Sequence, residues 1–152
     1  MTFEPDTAMS RSMLVTVLWR YAGKPVEGSN DFTDVPAGEW YTEAIAWASH
    51  NGVVNGVGDG KFAPDEKITR EQMAAILYRY SDQQKLDTAA RADLSVFPDA
   101  DDVSGYARDS VAWAVAEGLI KGDGDYLNPQ GNATRAQVAT ILMRYIRNVA
   151  QK

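Results

Sequence analysis

Three copies of one stretch, a loop that leads into an amphipathic helix, constrain the fold of this sequence most. The clearest copy covers residues 62–80, and related copies cover residues 3–21 and 127–145. In the central copy the apolar residues follow helical i, i+3, i+4, i+7 spacing, at Met73, Ile76, Leu77 and Tyr80. Burying each such side chain contributes roughly 1.5–3 kcal/mol, so each copy is first of all a packing unit. The pattern predicts a helical repeat protein.

The start of each helix is marked by a capping residue. Thr69 with Gln72, and Thr134 with Gln137, have the spacing of a capping box, in which a hydroxyl and a side-chain amide satisfy orphan backbone donors. Ser10 predicts a simpler cap, because Met13 cannot complete the box.

An arginine follows each cap, at Arg11, Arg70 and Arg135. The positive end of the helix dipole disfavours a cation there, so three such residues need an explanation. One interpretation is a local salt bridge to a loop carboxylate such as Asp59 or Asp65. The other is an anion site built from a guanidinium and free helix N–H groups. Three further arginines near the helix ends need only the favourable dipole as an explanation: Arg20, Arg79 and Arg144.

Two further helices are predicted, each opening a repeat unit. One contains Ile45 and Trp47 and follows Trp40, and the other contains Trp113 and follows Tyr106. The chain therefore divides into residues 1–31, 32–96 and 97–152, and the first of these units lacks its opening helix. We expect the sequence to be a piece of a longer chain, since it begins inside a repeat.

Composition argues against several classes of function. Fifteen basic against 21 acidic residues give a net charge of −6 with no basic run, which disfavours nucleic acid and anionic membranes as partners. The absence of cysteine excludes disulfides and thiolate metal sites, and no apolar run of about 20 residues predicts membrane insertion. His50 has no second histidine with which to share a metal, and no paired carboxylates or nucleophile–base set predicts an enzyme. We therefore expect neither a cofactor nor a metal.

These spaced motifs together closely resemble the S-layer homology repeat. The matching elements are F-x-D-V, W-Y, A-I-x-W-A, G-V-x-x-G, D-G-x-F-x-P and I-T-R-E, and they cover about two and a half repeats, nearly the whole chain. The resemblance implies a mainly α fold, in which three repeats form a pseudo-threefold helical domain. It also implies a non-catalytic module that anchors proteins to the bacterial cell wall by binding a secondary cell-wall polysaccharide, commonly a pyruvylated one, in grooves between repeats.

The resemblance also implies which residues bind the polysaccharide. It groups Arg70 with Trp40, Asp34, Gly56 and Gly58, and Arg135 with Tyr106, Asp99 and Gly122, whereas Arg11 matches at the arginine alone. A guanidinium is a good receptor for the carboxylate of a pyruvate ketal, which favours the anion-site interpretation of the arginines.

One further expectation competes with this function, and a second concerns the exposed surface of the chain. The alternative function is a protein-interaction or assembly module of a surface protein that does not bind glycan. In addition, the incomplete first unit predicts an exposed apolar face, covered by a rearranged terminus or by a second copy of the chain in a homodimer.

Overall fold

The computed structural model describes residues 7–122 and 124–151, and these residues are mainly helical, as predicted. The loop residues Phe3, Pro5 and Asp6 of the first repeat copy lie outside this range. The α-helices of the described part are α1 (Arg11–Tyr21), α2 (Thr42–His50), α3 (Arg70–Gln83), α4 (Arg108–Ala116) and α5 (Arg135–Tyr145). Single turns of 3₁₀-helix cover Leu94–Val96, Ala100–Asp102 and Gly105–Ala107, and a π-helical turn extends α5 over Ile146–Ala150.

The caps lie where the sequence places them. Thr69 accepts a hydrogen bond from Gln72 N–H at 3.2 Å while the Gln72 side chain accepts one from Thr69 N–H at 3.0 Å. α5 begins with the same reciprocal pair at Thr134. At α1 the side chain of Ser10 accepts from Met13 N–H at 3.2 Å without a reciprocal bond.

The three segments that precede α1, α3 and α5 are joined by a closed ring of backbone hydrogen bonds. Met9 N–H donates to Ala133 O at 3.0 Å, Ala133 N–H donates to Ile68 O at 2.9 Å, and Ile68 N–H donates to Met9 O at 2.8 Å. Each segment thus donates to one neighbour and accepts from the other. This cyclic pattern gives the pseudo-threefold arrangement its axis.

Isolated bridges, not strands, make these backbone contacts in the described part of the chain. The backbone N–H of the first residue of each repeated helix makes a further hydrogen bond to another unit. Arg11 N–H donates to Glu66 O at 2.8 Å, Arg70 N–H donates to Gly131 O at 2.9 Å, and Arg135 N–H donates to Thr7 O at 2.9 Å.

The helices pack across the unit boundaries. α2 lies on α1, and α4 lies on α3, so the opening helix of each unit covers the second helix of the unit before it. Within each unit, aromatic side chains join the opening helix to the second helix: Trp47 of α2 contacts Tyr80 of α3 with ring centroids 5.9 Å apart, and Trp113 of α4 contacts Tyr145 of α5 at 6.5 Å. No helix within residues 7–122 and 124–151 has both the length and the apolar character needed to cross a bilayer.

Candidate functional site

The side chain of Arg11 reaches from α1 into the loop of the second unit. Its Nε donates to Phe62 O at 3.0 Å, and its Nη2 donates to Asn55 O at 3.3 Å. The guanidinium carbon also lies 4.6 Å from the centre of the Phe62 ring, which is a cation–π contact. Only 5% of the residue is exposed. Neutral acceptors of the next unit therefore hold Arg11 in place.

Arg70 repeats this arrangement one unit later. Its Nε donates to Leu127 O at 2.9 Å, and the residue is 6% exposed. Leu127 occupies in the third unit the position that Phe62 occupies in the second. Each of these arginines thus fastens its own helix to the following unit.

Arg135 has different surroundings. Its Nη2 lies 3.7 Å from the sulfur of Met13, and its buried Nε has no hydrogen-bond partner among the described residues. The sequence counterpart of Phe62 for this arginine is Phe3, which is not among the residues that the structure describes.

The surroundings of Arg11 differ from both interpretations of the arginines. Asp59 and Asp65 form no ion pair with any other described residue, so the predicted salt bridge is absent at Arg11. The predicted free helix N–H groups are absent as well, because the first two amides of α1 and of α3 donate to carbonyls of the next unit and the third donates to the cap hydroxyl; Ser12 N–H, for example, donates to Pro64 O at 3.1 Å. Any anion that binds here is left with the guanidinium donors.

A first groove, groove 1, lies beside Arg11 and encloses a cavity of about 330 Å³. Three successive units form it. The first supplies Arg11, the second supplies the loop around Gly56 and the face of α3 that carries Gln72 and Arg79, and the third supplies Tyr106. Arg11 uses two of its five N–H donors on described carbonyls, and its other donors remain available to a ligand.

A second groove, groove 2, lies beside Arg70 and encloses about 280 Å³. Its residues match those of groove 1 by position: Gly122 for Gly56, Gln137 for Gln72 and Arg144 for Arg79. Lys121 adds a further cation. Among the described residues no aromatic side chain lines groove 2, whereas Tyr106 lines groove 1.

The grooves differ in charge from the protein as a whole. The chain carries a net charge of −6, yet no described Asp or Glu lines either groove, while groove 1 has two arginines and groove 2 has two arginines and a lysine. Desolvation by burial lowers the pKa of Arg11, but a guanidinium remains charged at any physiological pH. At Tyr106, burial and then the neighbouring Glu71 raise the pKa of the hydroxyl, which therefore stays a hydrogen-bond donor. Both grooves are suited to an anion.

Asp34 and Asp99 line neither groove, and both stabilise loops. The Asp34 carboxylate accepts hydrogen bonds from the N–H groups of Phe62 and Ala63, both at 2.8 Å. Asp99 does the same for Leu127 at 2.9 Å and Asn128 at 2.8 Å. These carboxylates hold the two loops whose carbonyls receive Arg11 and Arg70.

The predicted glycines have distinct roles. Gly56 lines groove 1, where a Cβ would lie 2.6 Å from Lys61 O, so only glycine allows this close approach. Gly122 lines groove 2 and has a φ of +96°, which favours glycine. Gly58 has a φ of +108° in the turn beyond Gly56 and lines neither groove.

The structure groups these residues differently from the resemblance. Tyr106 lies with Arg11 and not with Arg135, and Gly122 lies with Arg70 and not with Arg135. Trp40 is 56% exposed, packs edge-on against Tyr41 at 5.0 Å, and lines neither groove. The physical reason is that each arginine reaches into the following unit, so a groove combines residues of different units.

Sequence reasoning missed Arg79 and Arg144, which it assigned to the helix dipole alone. Both line a groove. A signal was present, because Gln72, Ile76 and Arg79 have i, i+4, i+7 spacing and share one face of α3.

Comparisons with known proteins identify the family of the repeats. The family profile described as the S-layer homology domain matches residues 31–74 and 96–139. The chain is 35% identical over 151 residues to a surface-layer 125 kDa protein of Lysinibacillus sphaericus, an alignment that covers 97% of this chain and 12% of that protein.

Two other relatives are named as an enzyme and as an anchoring protein. An amylopullulanase of Thermoanaerobacterium thermosulfurigenes is 34% identical over 143 residues, covering 92% of this chain and 8% of the enzyme. A cellulosome-anchoring protein of Acetivibrio thermocellus is 27% identical over 149 residues, covering 93% of this chain and 33% of that protein. The chain thus spans a third or less of each of these relatives.

Proposed function

Because this chain belongs to the S-layer homology domain family, we propose that it is a non-catalytic module that anchors a larger protein to the bacterial cell wall. Relatives named as surface-layer and cellulosome-anchoring proteins support this assignment. In the amylopullulanase the matching region is 8% of the enzyme, which is consistent with an appended module. The module acts at the cell surface.

The ligand that we propose is a secondary cell-wall polysaccharide that carries carboxylates, such as pyruvate ketals, bound in grooves 1 and 2. The observation that carries this proposal is the pair of cationic grooves that no described carboxylate lines, in a chain of net charge −6. Arg11 and Arg79 line groove 1 together, so a carboxylate bound there would contact two guanidiniums in a partly desolvated site. Tyr106 offers a ring for stacking on a sugar face.

Arg79→Gln tests this assignment. Arg79 is partly exposed and makes no hydrogen bond or ion pair with another described residue, so the change removes a charge from groove 1 with little effect on the fold. A hydrogen bond to a charged group contributes about 1.5–3 kcal/mol, so we expect co-sedimentation with purified cell walls to weaken roughly tenfold or more. Arg108→Gln, which removes an exposed arginine outside both grooves, is the control.

Walls from which pyruvate has been removed chemically complete the experiment. The wild-type protein should bind them as weakly as Arg79→Gln binds intact walls. Equal binding of the wild-type protein to treated and untreated walls would reject the carboxylate as the ligand group. Walls stripped of all polysaccharide separate the two functions. Loss of binding to them would support glycan anchoring, and retained binding would support a protein-interaction module.

The division into units at residues 1–31, 32–96 and 97–152 is part of this proposal, as is the homodimer expected from the sequence. The dimer is tested by the molar mass in dilute solution, which would be twice the chain mass of 16.7 kDa. A mass equal to one chain would remove it.

A further inference from the structure

The third residue of α1 differs from the third residue of α3 and of α5. Gln72 and Gln137 occupy this position in α3 and α5, whereas Met13 occupies it in α1. Each glutamine side-chain oxygen accepts a hydrogen bond from the backbone N–H of its own cap residue, at 3.0 Å in both helices. The thioether of Met13 is a weak acceptor and makes no such bond. The reciprocal half of the capping box is therefore missing at α1.

The donor that this missing bond would satisfy is the backbone N–H of Ser10, which has no acceptor among the described residues. The amides on either side of it are both used, because Met9 N–H donates to Ala133 O and Arg11 N–H donates to Glu66 O. In the other two helices the matching cap amide is satisfied by glutamine. Ser10 N–H is thus an orphan donor at the start of α1.

Met13 lies in the surroundings that a glutamine has in the other two helices. Its sulfur is 3.7 Å from Nη2 of Arg135. The same pairing, of an arginine that follows a cap with the third residue of the next helix in the cycle, lines groove 1 and groove 2, where that third residue is glutamine. The side chain of Met13 is also partly exposed, so a small solute can reach it.

Oxidation of a methionine gives its side chain the branching of glutamine. Both side chains begin with two methylene carbons. The next atom then carries an oxygen and an NH₂ group in glutamine, and an oxygen and a methyl group in methionine sulfoxide. The sulfoxide is polar, and its oxygen is a good hydrogen-bond acceptor. A sulfoxide at position 13 can therefore replace the side-chain oxygen that Gln72 and Gln137 supply.

We propose that Met13 is a modification site for peroxides, and that its sulfoxide completes the capping box of α1 by accepting a hydrogen bond from Ser10 N–H. A lone pair of the Met13 sulfur attacks one peroxide oxygen, and the O–O bond breaks. With hydrogen peroxide, the proton on the transferred oxygen passes to the leaving hydroxide, which departs as water. The sulfur loses two electrons and the peroxide gains them.

The expected effect has the opposite sign to the usual one. Oxidation of a methionine that touches the core ordinarily disrupts packing, and Met13 packs partly against the core. Here the added oxygen meets a donor that lacks a partner and a guanidinium beside the sulfur. Oxidation at this position should therefore strengthen the start of α1.

Peptide mass spectrometry tests whether the folded protein is oxidised at Met13. Trypsin cleaves after arginine, so residues 12–20, 71–79 and 136–144 are separate peptides with one methionine each. Met143 is 52% exposed and Met73 is 0% exposed. With dilute hydrogen peroxide we expect the sulfoxide of Met143 to form first, that of Met13 next, and that of Met73 only on unfolding.

Met13→Gln tests the capping box without an oxidant, and Met13→Leu is its matched control. Glutamine supplies the acceptor, so the amide of Ser10 should exchange with solvent about fivefold more slowly than in the wild-type protein. The Tm should rise by about 2–4 °C. Leucine keeps an apolar side chain without an acceptor, so Ser10 should exchange at the wild-type rate.

The oxidised protein is compared in a background that lacks the most exposed described methionine. Met143→Leu and the double variant Met13→Leu, Met143→Leu receive the same peroxide treatment. We expect the single variant to gain protection of the Ser10 amide and a higher Tm, and the double variant to gain neither. Treatment with the two methionine sulfoxide reductases, one for each epimer, should return the single variant to its starting Tm.

Three results would overturn the proposal. They are a Met13 that stays reduced in folded protein whose Met143 is fully oxidised, a Ser10 amide that exchanges at the wild-type rate in both Met13→Gln and the oxidised single variant, and an oxidised single variant that melts no higher than before treatment. None of these measurements uses polysaccharide, so each outcome is independent of the proposed function.

Discussion

Arg11 and Arg70 each join two units and also line a groove. Their Nε atoms donate to Phe62 O and Leu127 O at 3.0 and 2.9 Å, and both residues are nearly buried. Replacing either by alanine would leave a buried carbonyl without its donor, at a cost of about 1–3 kcal/mol, in addition to any loss of ligand. Arg79 and Arg144 are better probes of binding because they line the grooves from partly exposed positions.

The position of the arginines was predictable from the sequence, but their partners were not. Three arginines that follow helix caps mark a repeated site in the sequence itself. The acceptors, however, are backbone carbonyls of another unit, and any residue type supplies those. For this reason the predicted set contained Arg11, Gly56 and Tyr106 but grouped them in different sites.

The carboxylate of Asp34 is predicted to make a pH-dependent contribution to the free energy of unfolding. Desolvation raises its pKa, but the backbone hydrogen bonds from Phe62 and Ala63 outweigh that effect, and the net pKa is lowered; Asp99 behaves in the same way. A carboxylate with a lowered folded-state pKa stabilises the protein above its unfolded pKa of about 3.9, and this contribution is lost as the pH falls through the folded-state value. We expect Asp34→Asn to lower the free energy of unfolding by about 1–3 kcal/mol at pH 7 and to have less effect at pH 3.

Urea unfolding at both pH values measures this difference. Asp101→Asn is the control, since the Asp101 side chain is fully exposed and makes only a 3.8 Å contact with Arg108. An Asp34→Asn effect as large at pH 3 as at pH 7 would contradict the role given to the carboxylate charge.

Among the elements, the starts of α3 and α5 were the most predictable features. Their capping boxes depend on residues three positions apart, so local sequence is sufficient. The packing of α2 on α1 and of α4 on α3 was not predictable in this way, because every opening helix has a similar apolar face and spacing does not identify its partner. The missing opening helix predicted an exposed apolar face without locating it, and among the described residues such a face lies on α5, at Ala139 and Met143.

Thr69→Ala tests the cap at the level of the element. Loss of the hydroxyl leaves Gln72 N–H without its 3.2 Å acceptor and should destabilise the protein by about 1 kcal/mol. For a chain of this size that corresponds to a fall in Tm of roughly 2–4 °C, measurable by calorimetry. Thr69→Ser keeps the acceptor and should stay close to the wild-type Tm, and an equal fall for both variants would show that the methyl group matters and not the cap.

For the whole molecule, the ring formed by Met9, Ile68 and Ala133 makes the three units interdependent. Each member donates to one neighbour and accepts from the other, and all three residues are buried. A unit cannot leave the assembly without breaking two of the three bonds.

Native-state hydrogen exchange tests this interdependence. The amides of Met9, Ile68 and Ala133 should exchange with one common free energy, close to that of global unfolding, because opening any of them opens the ring. Much faster exchange at Met9 than at the other two amides would show that the first unit separates on its own.

The ring holds the units together without relying on the covalent link between them. The polar stretch between the end of α3 at Gln83 and the turn at Leu94 joins segments that the ring and the α3–α4 contact already hold together. A protease that cut this stretch would therefore sever the backbone without separating the two pieces, and a protein tethered to a wall through such a module would keep its hold after the cut.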